Sequence, residues 1–128
     1  MNRYITLGVT LAAGIGIGGI AVEAIHAQAQ PPAYVIAENV VNDQAGYTLD
    51  FLPPITKAIQ DAGGKFLARG GKTFAMHGAL NANRVVVVQF ESLDKVQAWF
   101  NSPATKAAFA IGEKYSTLHD YAVEGASP

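Results

Sequence analysis

Residues 84–90 read RVVVVQF: four valines in a row, behind Arg84 and ahead of Gln89 and Phe90. β-Branched side chains are stiff at χ1 and pack well on a pleated surface, so this run predicts a strand. Successive strand residues point to opposite faces, which sends Val86 and Val88 one way and Val85 and Val87 the other. A strand with one wet face alternates apolar and polar residues. This one does not. Neither does Tyr34-Val35-Ile36-Ala37, at the head of a second β-branched run, residues 34–41 (YVIAENVV). Both strands need cover on both faces.

Between these two runs, Asp43 is a helix cap, and Tyr47, Phe51, Ile55, Ile59 and Ala62 recur at helical spacing. Pro53-Pro54 interrupts that stripe. Proline lacks the amide hydrogen, so a kink or two short helices meeting there are expected. Gly63-Gly64 ends the element. Residues 65–69 (KFLAR) form a further strand, and Gly70-Gly71 breaks it. Residues 72–77 (KTFAMH) are expected to continue in extended form, as a bulged long strand or a tight hairpin, before a turn over residues 78–83. After the valines, Ser92 caps a helix with Leu93, Val96, Trp99 and Phe100 inward. Ser102-Pro103 opens another, reaching to about Tyr115, because proline suits a first helical turn. Residues 117–124 are the last strand.

The order is strand, helix, strand, strand, helix, strand. With right-handed crossovers this gives an α+β ferredoxin-like βαββαβ sandwich: helices on one face of a four-stranded antiparallel sheet. Its first and third strands sit at the sheet centre, and these are the two that are apolar on both faces. A bare second face would exceed the apolar patch that monomers usually carry. A second copy packed sheet to sheet, a homodimeric α/β barrel, removes it, each buried valine contributing about 1.5–3 kcal/mol. The alternative is that strong β-formers occupy a wet face.

At 128 residues the chain has room for one domain. Half of it is hydrophobic and 15% is charged, a folding composition. The formal net charge of −1, with no basic stripe, argues against nucleic acid or an anionic membrane as partner. The absence of cysteine excludes disulfides, thiolate chemistry and cysteine-based metal centres. Residues 1–29 read as a signal peptide: Arg3 in a short positive start, no charge from Ile5 to Val22, and the small residues of Ala27-Gln28-Ala29 before a cleavage point. Residues 30–128 are then the mature domain, periplasmic or secreted. The alternative is an uncleaved inner-membrane anchor, which the glycines at 8, 14, 16, 18 and 19 weaken. The spaced glycines of residues 14–19 imitate a dinucleotide-binding turn, but they lie inside the leader and not between a strand and a helix.

Candidate chemistry is sparse. His77 and His119 are the histidines outside the leader, with no second histidine or carboxylate cluster at metal-ligand spacing, so no metal and no cofactor is expected. His77, at a strand end, is a candidate general base or haem ligand, or simply a solvated histidine. His119 and Asp120 are strand neighbours whose side chains diverge, so they are not a catalytic pair. Arg69 beside Gly70 and Gly71 can present a guanidinium and bare amides to a carboxylate, or be a surface arginine at a bulge. Arg84 can hold an anion or pair with an acid across the sheet. Tyr47, Phe51 and Trp99 can line a pocket between helices and sheet, or be core.

Residues 63–71 (GGKFLARGG), Arg84 ahead of the valines and Phe90, residues 98–103 (AWFNSP) and the closing Val123-Glu124-Gly125 resemble the bacterial "domain of unknown function 1330" family. The resemblance spans essentially the whole mature chain. It implies a ferredoxin-like protomer of the dimeric α/β-barrel superfamily and no established reaction; relatives there include cofactor-free monooxygenases, haem-dependent enzymes and stress-responsive proteins. Where the family has an acid and a proline at the end of the valine strand, this chain has Gln89 and Glu91, and where it has tyrosine after Ser-Pro, this chain has Thr105. Three functional expectations follow. The first is a pocket for a small, partly apolar molecule, with Arg69 and Arg84 as anion contacts and Tyr47, His77 and Trp99 lining it. The second is a cofactor-independent oxygenase or isomerase with His77 as base. The third is a non-catalytic envelope or stress protein.

Overall fold

A computed structural model describes residues 30–126, of which Pro32–Ala126 forms one compact unit. The expected leader, residues 1–29, lies outside the described residues. Strand β1 (Ala33–Val41) leads through Asp43 into a short helix α1 (Gln44–Gly46), a π-helical turn (Tyr47–Phe51) and helix α2 (Leu52–Asp61). Strands β2 (Lys65–Arg69) and β3 (Arg84–Phe90) follow. Helices α3 (Leu93–Phe100) and α4 (Pro103–Gly112) lead to β4 (Ser116–Thr117) and β5 (Asp120–Glu124).

The side chains of Asp43, Ser92 and Ser102 each accept the amide hydrogen three residues on, from Gly46, Lys95 and Thr105, so all three predicted caps are present. As expected, two helical segments meet at the prolines. Both prolines occupy the first turn of α2, where a missing N–H costs least, and the Leu52 amide reaches back to the Tyr47 carbonyl to close the π turn. Tyr47, Phe51, Ile55 and Ile59 are buried along one face of this composite helix.

The sheet is antiparallel, with β2, β3, β1 and β4 in that order and β5 also on β1. This is a ferredoxin-like sheet whose fourth position is shared by two strands. The single last strand expected over residues 117–124 is split because Asn39 intervenes. Its Oδ1 accepts from the His119 amide at 3.3 Å, a hydrogen that an unbroken ladder would give to a backbone carbonyl.

Residues 72–77 are not extended in a sheet, contrary to expectation; residues 71–83 form an irregular connection, exposed at every position but Ala82. Gly70, at φ +70°, turns the chain off the sheet after its amide has bonded the Val85 carbonyl. On the other flank of β3, Asn83 bonds β1 through its own amide to Asn39 O and through its side chain to both backbone groups of Val41. Phe100, expected inward, is 47% exposed, since the buried stripe of α3 is centred on Val96 and Trp99. Helix α4 stops at Gly112, earlier than Tyr115, where the Ser116 hydroxyl takes up the Gly112 carbonyl.

The helices share one sheet face. Ala33, Val35, Val88 and Phe90 pack there against Phe51, Ile55, Val96, Trp99 and Ala108. Neighbouring rings run from Tyr47 to Phe51, Phe109, Trp99 and Phe90, with centroids 5.0–6.2 Å apart. The other face carries Tyr34 and Ile36 of β1 and Val85 and Val87 of β3, with Ile36 opposite Val87 and Tyr121, Tyr34 opposite Gln89 and Val123, and Val85 opposite Glu38. The double apolar character read from the valine run is therefore real: one set lies in the core, the other on a face that these helices do not use.

Candidate functional site

Between sheet and helices the core does not close. A cavity of about 50 Å³ remains, walled by apolar side chains such as Val35, Val88, Phe51, Ile55 and Phe109. Into it come Asn39, Tyr47, Arg69, Arg84, Trp99 and Asp120. It adjoins a groove of about 280 Å³ beside α3 and β5, the two sharing Val35, Trp99, Phe109 and Asp120 as wall. Together they offer room for a small organic molecule.

Strand alternation explains the arrangement. Asn39 and Arg84 face each other across β1 and β3, on the same inner face as Val35 and Val88. Asn39 is buried and bonds the Tyr47 hydroxyl at 3.2 Å, which holds the phenol at one end of the cavity. The Arg84 guanidinium lies 5.5 Å from the Tyr47 ring centroid, and its Nε is buried with no hydrogen-bond partner. Pairing of Arg84 with an acid across the sheet is not what forms: among the described residues the one ion pair is Lys57–Asp61 on the surface. Arg69 is exposed on the surface, with its guanidinium 4.1 Å from the centroid of the Phe66 ring and donating to the Thr56 hydroxyl. The bulge of β2 lies at Leu67, between Phe66 and Ala68.

Trp99 brings the second orphan, an indole Nε1–H that is buried without an acceptor. Asp120 stands at the rim. Its carboxyl pKa is raised above the ordinary carboxylate value, chiefly by desolvation in the apolar wall, with His119 pulling weakly the other way. An unpartnered buried N–H is costly, about 1–3 kcal/mol and more for a charged group. Two in one cavity mark a place where an acceptor is wanted.

Of the residues singled out in the sequence, Tyr47, Arg69, Arg84 and Trp99 meet at this cavity. Gly70 does not line it but lies directly under Arg84: a β-carbon there would collide with the guanidinium. Its amide is spent on Val85, so it is not a bare donor. Gly71 has open space around it. His77 sits in the exposed 71–83 connection and is not part of the cavity wall. Gln89 faces the opposite side of the sheet with Val85 and Val87, and Thr105 is fully buried, its amide bonded to the Ser102 hydroxyl. Asn39 and Asp120 were not evident from the sequence. The available signal was alternation: a polar residue in phase with the inward Ala33, Val35 and Ala37, and an acid in phase with Ala122.

Among the described residues no three metal-ligating side chains cluster, and no helix is long and apolar enough to cross a membrane. Residues 32–126 match the family described as "Domain of unknown function (DUF1330)". No curated protein sequence matches the chain. Among solved structures it is similar to a protein of unknown function from Rhodopseudomonas palustris (TM-score 0.55, 13% identity, covering 83% of this chain and 95% of that one). A dimeric protein of unknown function and ferredoxin-like fold from Bacteroides fragilis gives a TM-score of 0.52 at 16% identity, over 75% of this chain and 98% of that one. SnoaB, a cofactor-independent oxygenase from Streptomyces nogalater, gives 0.50 at 9% identity, over 77% and 96%.

Proposed function

The chain belongs to the DUF1330 family, and from that premise we propose that its domain is a homodimeric binding protein for a small carboxylate with an apolar body. The observation that carries this reading is the pair of orphaned donors, Arg84 Nε and Trp99 Nε1, in one apolar cavity. A carboxylate supplies acceptors in the plane a guanidinium prefers, and its hydrocarbon part would pack against Ile55, Phe109 and Val35. Arg69, whose own partner is a neutral hydroxyl, adds a second positive charge. The oxygenase reading with His77 as base stands behind this one, because His77 does not line the cavity and the likeness to SnoaB is one of fold alone. For address we propose export, on the strength of Arg3, the uncharged stretch after it and Ala27-Gln28-Ala29.

The test uses the single tryptophan of the chain, which is Trp99. Titration with 4-phenylbutyrate should change its emission saturably, while 4-phenylbutanamide, of equal shape and no charge, binds at least about tenfold more weakly. Arg84→Gln should weaken the acid and leave the amide little changed. Equal response to acid and amide would refute the reading.

A further inference from the structure

Arg84 and Asp120 carry opposite charges, border the same apolar cavity, and among the described residues form no ion pair. The register explains why. Arg84 lies opposite Asn39 on one flank of β1, and Asp120 lies opposite Ala37 on the other. Two strand spacings and a two-residue offset put their backbones about 12 Å apart. The cavity of about 50 Å³ that both border opens at Asp120 onto the groove of about 280 Å³, so a small organic acid would lie along the two. Its head would meet the guanidinium, and its middle would meet the carboxyl. Trp99, whose Nε1–H is buried with no acceptor, shares the wall of both spaces with Asp120.

We propose that Asp120 is a catalytic base in this cavity, interconverting the keto and enol forms of a 2-oxo acid held by Arg84. The step balances without any co-reactant. The Asp120 carboxylate takes a proton from the carbon next to the ketone. The C–H electron pair becomes the new C=C bond, and the carbonyl π pair moves to oxygen, giving an enolate. The Trp99 Nε1–H, aided by the guanidinium, donates to that oxygen. The Asp120 carboxyl then returns its proton to the enolate oxygen, and the enol leaves with no net gain or loss of atoms. Desolvation makes the Asp120 carboxylate more basic than an ordinary one, the direction this task requires. The charged groups around it are His119 on its own strand segment, Arg69 and Arg84 across the cavity, and Lys106 and Glu113 of α4 along the outer side.

This inference rests on the binding reading, and one experiment separates the two. Phenylpyruvate is the probe: it has an apolar body, a carboxylate and an enolisable carbon. Its affinity is measured by calorimetry, and exchange of its C3 protons in heavy water by NMR. The protein should speed exchange at least about tenfold over buffer. Asp120→Asn should return exchange to the buffer rate while affinity stays within about threefold. Binding with no accelerated exchange, or full exchange in Asp120→Asn, overturns the base alone. Absence of binding overturns both readings.

Discussion

Gly70 stands at φ +70°, with the Arg84 guanidinium occupying the space where a β-carbon would go. The backbone conformation disfavours a side chain here, and a β-carbon would have to displace the Arg84 guanidinium. Gly70→Ala should therefore lose about 1–3 kcal/mol in urea denaturation and push Arg84 out of line, weakening 4-phenylbutyrate. Gly71→Ala, with nothing nearby to meet, is the matched control and should leave both unchanged. Asp120 makes a different prediction, through pH. Its folded pKa is raised, so the folded state holds the proton more tightly than the unfolded chain does. Stability from this group is full below the ordinary carboxylate pKa and is lost as pH rises through the raised value. Asp120→Asn should accordingly be more stable than the parent near neutral pH, with the difference vanishing in acid. Melting curves across pH check the sign; a variant equally or less stable at neutral pH would contradict it.

What a local stretch of chain could decide was legible in its residues. Ser92 and Ser102 cap because a hydroxyl three residues ahead of a free amide needs no distant help. The same holds for the stripe from Tyr47 to Ile59 and for the strand at the valines. What depended on a distant partner was not legible. Residues 72–77 have strand-like residues, but the chain has already left the sheet at Gly70, whose φ of +70° turns it away from β3. The last strand breaks because Asn39, far away in sequence, takes the His119 amide. Phe100 lies beside the buried stripe of α3, on the flank where Lys106 covers its ring at 4.7 Å. The cavity follows the same rule. Arg69, Arg84, Tyr47 and Trp99 could be named from their types and positions, but Asn39 and Asp120 become significant only once the register of β1 with β3 and β5 sets them on its wall.

The two faces of the sheet divide the molecule's tasks. The inner face holds core and cavity; the outer face offers Ile36 in register with both Val87 and Tyr121, and Tyr34 in register with Val123. Leu67, Tyr121 and Val123 are each about half exposed in the single chain. A second copy laid against this surface would bury them, at about 1.5–3 kcal/mol for each large apolar side chain. Val87→Glu puts a carboxylate at the centre of that contact, where burial without a partner is prohibitive. It points away from the core, so the protomer should still fold, whereas Val86→Glu, on the inner face, should not. Light scattering on a sizing column should give twice the protomer mass for the parent and a single protomer for Val87→Glu, with the circular dichroism of the two alike. Because the cavity lies across the sheet from the contact, the monomeric variant should bind 4-phenylbutyrate within about threefold of the parent. A parent that runs as a single protomer at micromolar concentration would leave the valine face unexplained and remove the dimer. A variant that is monomeric and cannot bind would instead mean that the two faces are coupled through β1, the strand that carries residues of both.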